Sequence, residues 1–366
     1  MSGYNYKNLS PLEYGKLSCD TLMRTFKAQD LPPKGHFHYH QGVFLSGVDH
    51  ICRLCGEEKY KNYIREWVDS LVMEDGRLTG FDRDELDDVQ PGILLFPIYE
   101  ETKSDRYKKP LKELMEVVKK FPTNAEGGFW HKVKNKEQMW LDGLYMAGPF
   151  TALYGRTFED DTCFDSCIFQ ARMMEAKTRD DKTGLWYHAW DSAGERDWAD
   201  PVTGRSPEFW GRSIGWVPVA LLDELDCIPE GFAGRAELVR MVRELLLAVM
   251  AYQDPGGLWY QVVDKGGMAG NWLETSCSCL FAAAIAKAVY TGILDSGCFP
   301  AAVKAFEGIV DTLRTDGEDL IISGICVGTG VGDYEHYCRR PTGENDLHGT
   351  GAFLLMCAEL ERALKG

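Results

Sequence analysis

Two kinds of helical segment alternate along the chain six times, and this alternation restricts what it can fold into. One kind is amphipathic. Tyr60, Ile64, Trp67 and Leu71 form one apolar stripe; Tyr107, Leu111, Leu114, Val118 and Phe121 form a second; Leu238, Met241, Leu245 and Val249 form a third. A 3.6-residue apolar period with polar residues between gives a helix with one wet face. The other kind is apolar nearly all round: GVFLSGV from Gly42, GILLFPIY from Gly92, LDGLYMAGPFTALY from Leu141, GWVPVALLDEL from Gly215 and CLFAAAIAKAV from Cys279. Such helices must be buried. Wet segments fall near 10–28, 57–73, 105–121, 158–178, 235–252 and 299–315, and buried ones near 41–54, 87–101, 137–154, 208–224, 271–290 and 345–364. Six pairs of this kind can close into a ring whose inner wall is the buried set. The inner spacing is too uneven for an open solenoid of identical repeats. The expected fold is all-α, an (α/α)6 barrel in one domain over residues 1–366. Pro97, Pro149 and Pro218 should kink the inner helices that carry them.

A repeated loop fits this plan. GLWYHAWD begins at Gly184 and GLWYQVVD at Gly257, and GGFWHK at Gly127 is a looser copy. Each puts aromatic residues on a Gly-rich link just before a buried helix. If the inner helices run the same way, the loops converge on one mouth.

Formal charge is −16, which argues against nucleic acid or anionic membranes as partners but leaves room for a small anionic ligand held by local cations. No run of about 18 apolar residues suggests a membrane span. The N-terminus, MSGYNYKNLSPLEYG, has neither the basic start nor the apolar run of a signal peptide. A cytoplasmic protein is expected, a monomer or weak homo-oligomer, with its 12 cysteines mostly free thiols. Cys52 and Cys55 form a lone C-x-x-C, and no His, Cys or carboxylate set shows metal spacing. No metal and no cofactor are expected.

The loops and inner-helix starts hold a biased set of residues: Asp87 and Asp88; His131, Gln138, Trp140 and Asp142; Trp186, His188, Trp190 and Asp191; Trp210, Arg212 and Trp216; Asn271, Trp272 and Glu274. Eight of the ten tryptophans, all but Trp67 and Trp198, fall in these places. Indole faces pack on sugar rings, while carboxylates and histidines bind hydroxyls, so a carbohydrate site is expected; wedging between helices is the other use of such tryptophans. Asp142 reads as lying one turn into an apolar helix, where a carboxylate is costly unless paired or protonated. Asp87 could equally cap a helix, and Arg212 could tie to either carboxylate.

The motifs MWLDGLYMAGPF, GLWYHAWD, FWGRSIGWV, NWLETS and GVGDYEHY resemble those of the unsaturated rhamnogalacturonyl hydrolases, glycoside hydrolase family 105, and more distantly the unsaturated glucuronyl hydrolases of family 88. The resemblance runs from HYHQGVFL to TGAFLLMCAEL at the end of the chain. It implies a metal-free enzyme that removes a Δ4,5-unsaturated uronate from rhamnose in small pectin-derived oligosaccharides. By that resemblance the proton donor is Asp142 and the second carboxylate Asp87. The resemblance implies that His131, His188, Arg212 and Trp216 bind the sugar; Tyr39, Trp140 and Trp210 are further candidate sugar-binding residues. Ser213-Ile214 departs from the Gly-Asn common at that point and alters either the local turn or a subsite contact. The donor must stay protonated near neutral pH, and burial with Asp87 nearby is expected to raise its pKa. Rival readings are a family 88 enzyme for glycosaminoglycan fragments, an inverting glycanase, an epimerase and a non-catalytic sugar-binding protein.

Overall fold

The computed structural model describes residues 4–365. In chain order the helices are α1 (Pro11–Thr25), α2 (Tyr39–Cys55), α3 (Glu58–Leu71), α4 (Leu95–Thr102) and α5 (Asp105–Lys120). Then come α6 (Asp142–Phe158), α7 (Thr162–Thr178), α8 (Gly211–Leu225), α9 (Arg235–Met250), α10 (Thr275–Tyr290) and α11 (Phe299–Thr312). A five-residue helix α12 (Tyr334–Cys338) precedes the last one, α13 (Leu347–Lys365).

The inner wall is α2, α4, α6, α8, α10 and α13. The 3₁₀ segment Gln90–Leu94, which leads into α4, packs on both α2 and α6; α6 packs on α8, α8 on α10, α10 on α13, and α13 returns to α2. Outside, α3, α5, α7, α9 and α11 each pack on the inner helix preceding them, and α1 packs on α13. The two ends of the chain thus make the sixth pair and close the (α/α)6 barrel. One hydrophobic cluster runs through both layers.

Closure depends on close backbone approach between α13 and α2. A Cβ on Gly351 would sit 2.4 Å from the carbonyl oxygen of Val43, and one on Gly47 would sit 2.9 Å from the carbonyl oxygen of Gly351. Only glycine fits there. On the outer face, α1 starts with a capping box in which Ser10 and Glu13 satisfy each other's backbone N–H.

The inner segment expected near 87–101 is broken. Leu86–Asp88 and Gln90–Leu94 are 3₁₀ turns, and the α-helix starts only at Leu95. Pro91 supplies no N–H to an α-helical ladder, and Gly92 lies where a Cβ would hit the Phe150 ring at 2.7 Å. By contrast α6 and α8 continue through Pro149 and Pro218. Among the described residues no helix is long and apolar enough to cross a membrane.

The repeated loops form short antiparallel ladders above the inner helices. Strand β1 (Gln138–Trp140) pairs with β2 (Ala189–Asp191), opposing Trp140 to Ala189. Strand β3 (Trp259–Tyr260) pairs with β4 (Leu273–Glu274). Each of β1 and β4 runs into an inner helix, so the ladders set where those helices begin.

Candidate active site

The β1–β2 register brings Asp142 and His188 together. The Leu141 N–H donates to the His188 carbonyl at 2.9 Å, so the two chains stay paired to the first residue of α6. That residue is Asp142. The sequence had suggested a position one turn inside; the β1 strand occupies that turn instead. Asp142 therefore sits where the unsatisfied N–H groups and the positive dipole end of a helix favour an anion. Its Oδ2 lies 3.1 Å from His188 Nε2.

A cavity of about 430 Å³ opens at this end of the barrel. Eight of the nine residues singled out from the sequence line it: Tyr39, Asp87, His131, Trp140, Asp142, Trp210, Arg212 and Trp216. His188, fully buried, stands behind Asp142. Tyr39, Asp142 and Arg212 lie in the first turns of α2, α6 and α8, so several helix N-termini face the same space. A larger cavity of about 790 Å³ lies at the other end, between the C-terminal halves of the inner helices. Several of its charges are paired: Lys287 is 2.7 Å from Asp223 and 2.6 Å from Asp226, and Glu359 pairs with His50 and Arg362.

Three walls of the site have distinct chemistry. Trp140 stacks on His131 with ring centroids 4.4 Å apart, its indole N–H held by Gln138 Oε1 at 3.1 Å. His131 Nε2 is 3.4 Å from Asp87, and Lys132 Nζ reaches Asp87 at 2.6 Å and Glu85 at 2.7 Å. Arg212 is buried, its guanidinium 4.5 Å from the Trp210 ring centroid and bonded to the backbone carbonyls of Cys326 and Val327. It forms no ion pair among the described residues. Its charge faces the cavity without a contacting carboxylate.

The tryptophans divide. Trp140, Trp210 and Trp216 reach the cavity. Trp186 and Trp259 are core residues, and Trp190 is buried with its N–H on the Thr203 carbonyl. Ser213 and Ile214 are buried in α8, with the Ser213 hydroxyl on the Trp210 carbonyl; neither lines the cavity, so the departure there changes local packing.

The electrostatics differ from the expectation in one respect. Burial alone would raise the Asp142 pKa, but the His188 hydrogen bond and the electrostatic influence of His188, His131 and Arg212 outweigh it and hold Asp142 below the usual carboxylate range. Asp87 is likewise held down, its burial overcome by His131 and Lys132. Asp87 is therefore not the like charge that keeps Asp142 protonated; Lys132 matches its charge. The raised carboxyl is the neighbouring Asp88, pushed up to about 8, mainly by burial. One oxygen accepts from the Asp82 N–H at 2.8 Å, while the other is buried without a hydrogen-bond partner.

The folded protein thus holds a proton on Asp88 across the window from the unfolded carboxylate pKa, about 4, up to about 8. Through that window the native state binds more protons than the unfolded one, so stability falls as pH rises. Asp88→Asn should come closest to wild type near pH 4 and gain on it as pH rises towards 8, by up to about 1.4 kcal/mol per pH unit, as read by urea unfolding at both ends of that range.

Sequence reasoning missed Lys132, His38, His40 and Arg340, which also line the cavity. Lys132 was in view beside His131; His38 and His40 flank Tyr39. It also found no metal spacing, yet two groups have ligand atoms within 4.8 Å of one another: His40, Asp346 and His348, and His38, Glu85 and Asp87. They come from segments far apart in sequence, which spacing cannot reveal. Lys132 already supplies the positive charge to the second group. In the first, His348 Nδ1 is 2.7 Å from Asp346.

Residues 15–364 match the family described as Glycosyl Hydrolase Family 88. The chain belongs to this family. It is a glycosidase, and its structural neighbours include family 105 proteins. A family 105 glycoside hydrolase of C. acetobutylicum ATCC 824 superposes with a TM-score of 0.90 at 31% identity, covering 95% of this chain and 99% of that one. The unsaturated rhamnogalacturonyl hydrolase YesR of Bacillus subtilis is 28% identical over 333 residues, 88% of this chain and 89% of YesR. The unsaturated glucuronyl hydrolase of Bacillus sp. GL1 shares the fold at a TM-score of 0.70 and 15% identity, covering 98% and 96%.

Proposed function

We propose that this glycosidase hydrates the C4=C5 double bond of a terminal Δ4,5-unsaturated galacturonate and releases it from rhamnose in small pectin-derived oligosaccharides, on one catalytic domain spanning residues 1–366. The observation that carries this reading is the pairing of a cavity-facing acid, Asp142, with a cavity-facing cation, Arg212, whose charge no carboxylate contacts. An unsaturated uronate brings both the carboxylate and the alkene. The similarity to YesR supports rhamnose as the neighbour. Free thiols at every cysteine suit a cytoplasmic location.

The steps follow from vinyl-ether chemistry. Asp142 gives its proton to C4, and the cation formed at C5 is stabilised by the ring oxygen. A water oxygen then bonds to C5, and the proton that it loses returns to the Asp142 carboxylate. The resulting hemiketal opens to a C5 ketone, and the hemiacetal left at C1 expels the aglycone as an alcohol. Asp87, ionised and held by Lys132 and His131, accepts hydrogen bonds from substrate hydroxyls or the incoming water. Trp140 and Tyr39, both partly exposed, meet the sugar, with Trp210 and Trp216 set into the wall behind. Because addition to an alkene replaces displacement at C1, the carboxylate-separation rule of ordinary glycosidases does not apply.

Loss of the alkene removes its ultraviolet absorbance, so turnover can be watched directly. An unsaturated rhamnogalacturonan disaccharide should bleach far faster than an unsaturated chondroitin disaccharide. The reverse order would overturn the rhamnose assignment, and no bleaching of either would overturn the hydration reading. Prior dialysis against EDTA should leave the rate unchanged; loss restored by one metal ion would overturn the metal-free mechanism.

A further inference from the structure

The short helix α12 puts Tyr337 into the barrel mouth without exposing it. The side chain is fully buried and does not line the cavity. Its ring lies parallel to Trp210 at 5.7 Å. Gln261 fixes both partners, accepting from the Trp210 indole at 3.2 Å and donating to the Tyr337 carbonyl at 3.2 Å. The hydroxyl is thereby set in one place, 2.6 Å from His188 Nδ1.

The direction of that hydrogen bond follows from the other contact. The Gly332 N–H donates to the Tyr337 oxygen at 3.2 Å, using its acceptor side. The hydroxyl proton then points at Nδ1, so Nδ1 is the acceptor. A neutral imidazole with Nδ1 as acceptor carries its proton on Nε2, and Nε2 faces Asp142 Oδ2 at 3.1 Å. A second ring proton on Nδ1 would displace the hydroxyl proton, which has no other acceptor among the described residues.

Resting on the hydration reading above, we infer that Tyr337 is a positioning residue for the proton donor. By locking His188 as the Nε2–H tautomer, it makes the imidazole donate to Asp142 Oδ2 and leaves Oδ1 to carry the proton that goes to C4. In the opposite tautomer, His188 Nε2 would accept from Asp142 and hold the catalytic proton away from the substrate. A doubly protonated ring would keep Asp142 ionised, as the lowering effect of a charged His188 on Asp142 indicates. Tyr337 acts against the opposite tautomer.

Nitrogen-15 NMR of the wild-type imidazoles tests the tautomer without any substrate. The neutral His188 ring should carry its proton on Nε2; an Nδ1–H form would overturn the inference. In parallel, Tyr337→Phe should lower kcat by about 10–100-fold, the usual cost of removing an orienting partner. KM should change little, and the limb on which activity falls with rising pH should move to lower pH. A folded Tyr337→Phe with unchanged kcat, or with its loss confined to KM and its pH profile unmoved, would overturn it. Should that variant not fold, the wild-type spectrum decides alone. A wild-type enzyme that bleaches no unsaturated uronide would instead sink the hydration reading, whatever the spectrum shows.

Discussion

Asp142→Asn should lose at least about 10²–10⁴-fold in kcat, the range that general acid catalysis supplies, while the protein still binds the unsaturated disaccharide. The amide keeps the side-chain shape and can still accept from His188 Nε2, 3.1 Å away. It has no proton to give to carbon. Stability should drop by about 1–3 kcal/mol, because a charge-assisted hydrogen bond and a favourable charge at the start of α6 are both lost. The free enzyme holds Asp142 below the usual carboxylate range, yet the reaction needs it protonated. The substrate can supply the difference. Its carboxylate is attached at C5, next to the carbon that takes the proton, and it brings a like charge into a site it also dries. The pKa of Asp142 should therefore be higher in the complex than in the free enzyme. In pH profiles, the limb of falling activity should lie at higher pH for kcat than for kcat/KM. Near-normal turnover by Asp142→Asn would mean that another acid donates, with Asp87 the next to test. Coincident limbs would deny the substrate this role.

The barrel was legible because burial leaves a periodic trace. Segments such as CLFAAAIAKAV carry no wet face, and α10 is buried from Thr275 to Ala288. Alternation with stripes like that of α5 then forces two layers. Helix starts were less legible. Backbone pairing between Gln138–Trp140 and Ala189–Asp191 is a contact across some 50 positions, and nothing local in LDGLYMAG marks Asp142 as its first helical residue. The 3₁₀ break before α4 had a local mark, Pro91-Gly92, but its strength depends on Phe150 crowding Gly92.

The candidate site was legible in its residue types and not in their charges. Eight of the nine named residues face one cavity because loops with the same chemistry precede inner helices that run the same way. The ionisation of Asp87 and Asp142 depends on Lys132, His131 and His188, and these distances exist only after folding. Hence the raised carboxyl was sought at Asp142 and lies at Asp88, one position beyond Asp87, where burial comes without a cation. The tryptophan count misled in a similar way. A Gly-x-Trp-Tyr loop puts its tryptophan under the loop as a wedge, as Trp186 and Trp259 show, while the cavity lining takes Trp140, Trp210 and Trp216 from the starts of α6 and α8.

Glu274→Ala should cost about 2–6 kcal/mol of folding stability, from two buried backbone N–H donors left unpaired at about 1–3 kcal/mol each. Glu274 is fully buried at the end of β4. Its carboxylate accepts the Ser276 hydroxyl at 2.8 Å, the Cys277 N–H at 2.6 Å and the Cys326 N–H at 2.8 Å. It is thus the cap of α10 and the tie that holds Cys326 against it. The Cys326 and Val327 carbonyls in turn hold Arg212, and Gly328 to Gly330 continue into the cavity wall. Alanine leaves two buried backbone N–H groups without partners and removes the carboxylate that offsets the Arg212 charge. Glutamine keeps one acceptor oxygen and the packing volume, so Glu274→Gln should cost less, about 1–3 kcal/mol. Both should weaken substrate capture in proportion, because the Arg212 wall loosens with the loop that carries it. Urea unfolding of the three proteins side by side gives the ordering. A Glu274→Ala protein as stable as wild type would show that water takes over these contacts, and that the wall around Arg212 stands without Glu274.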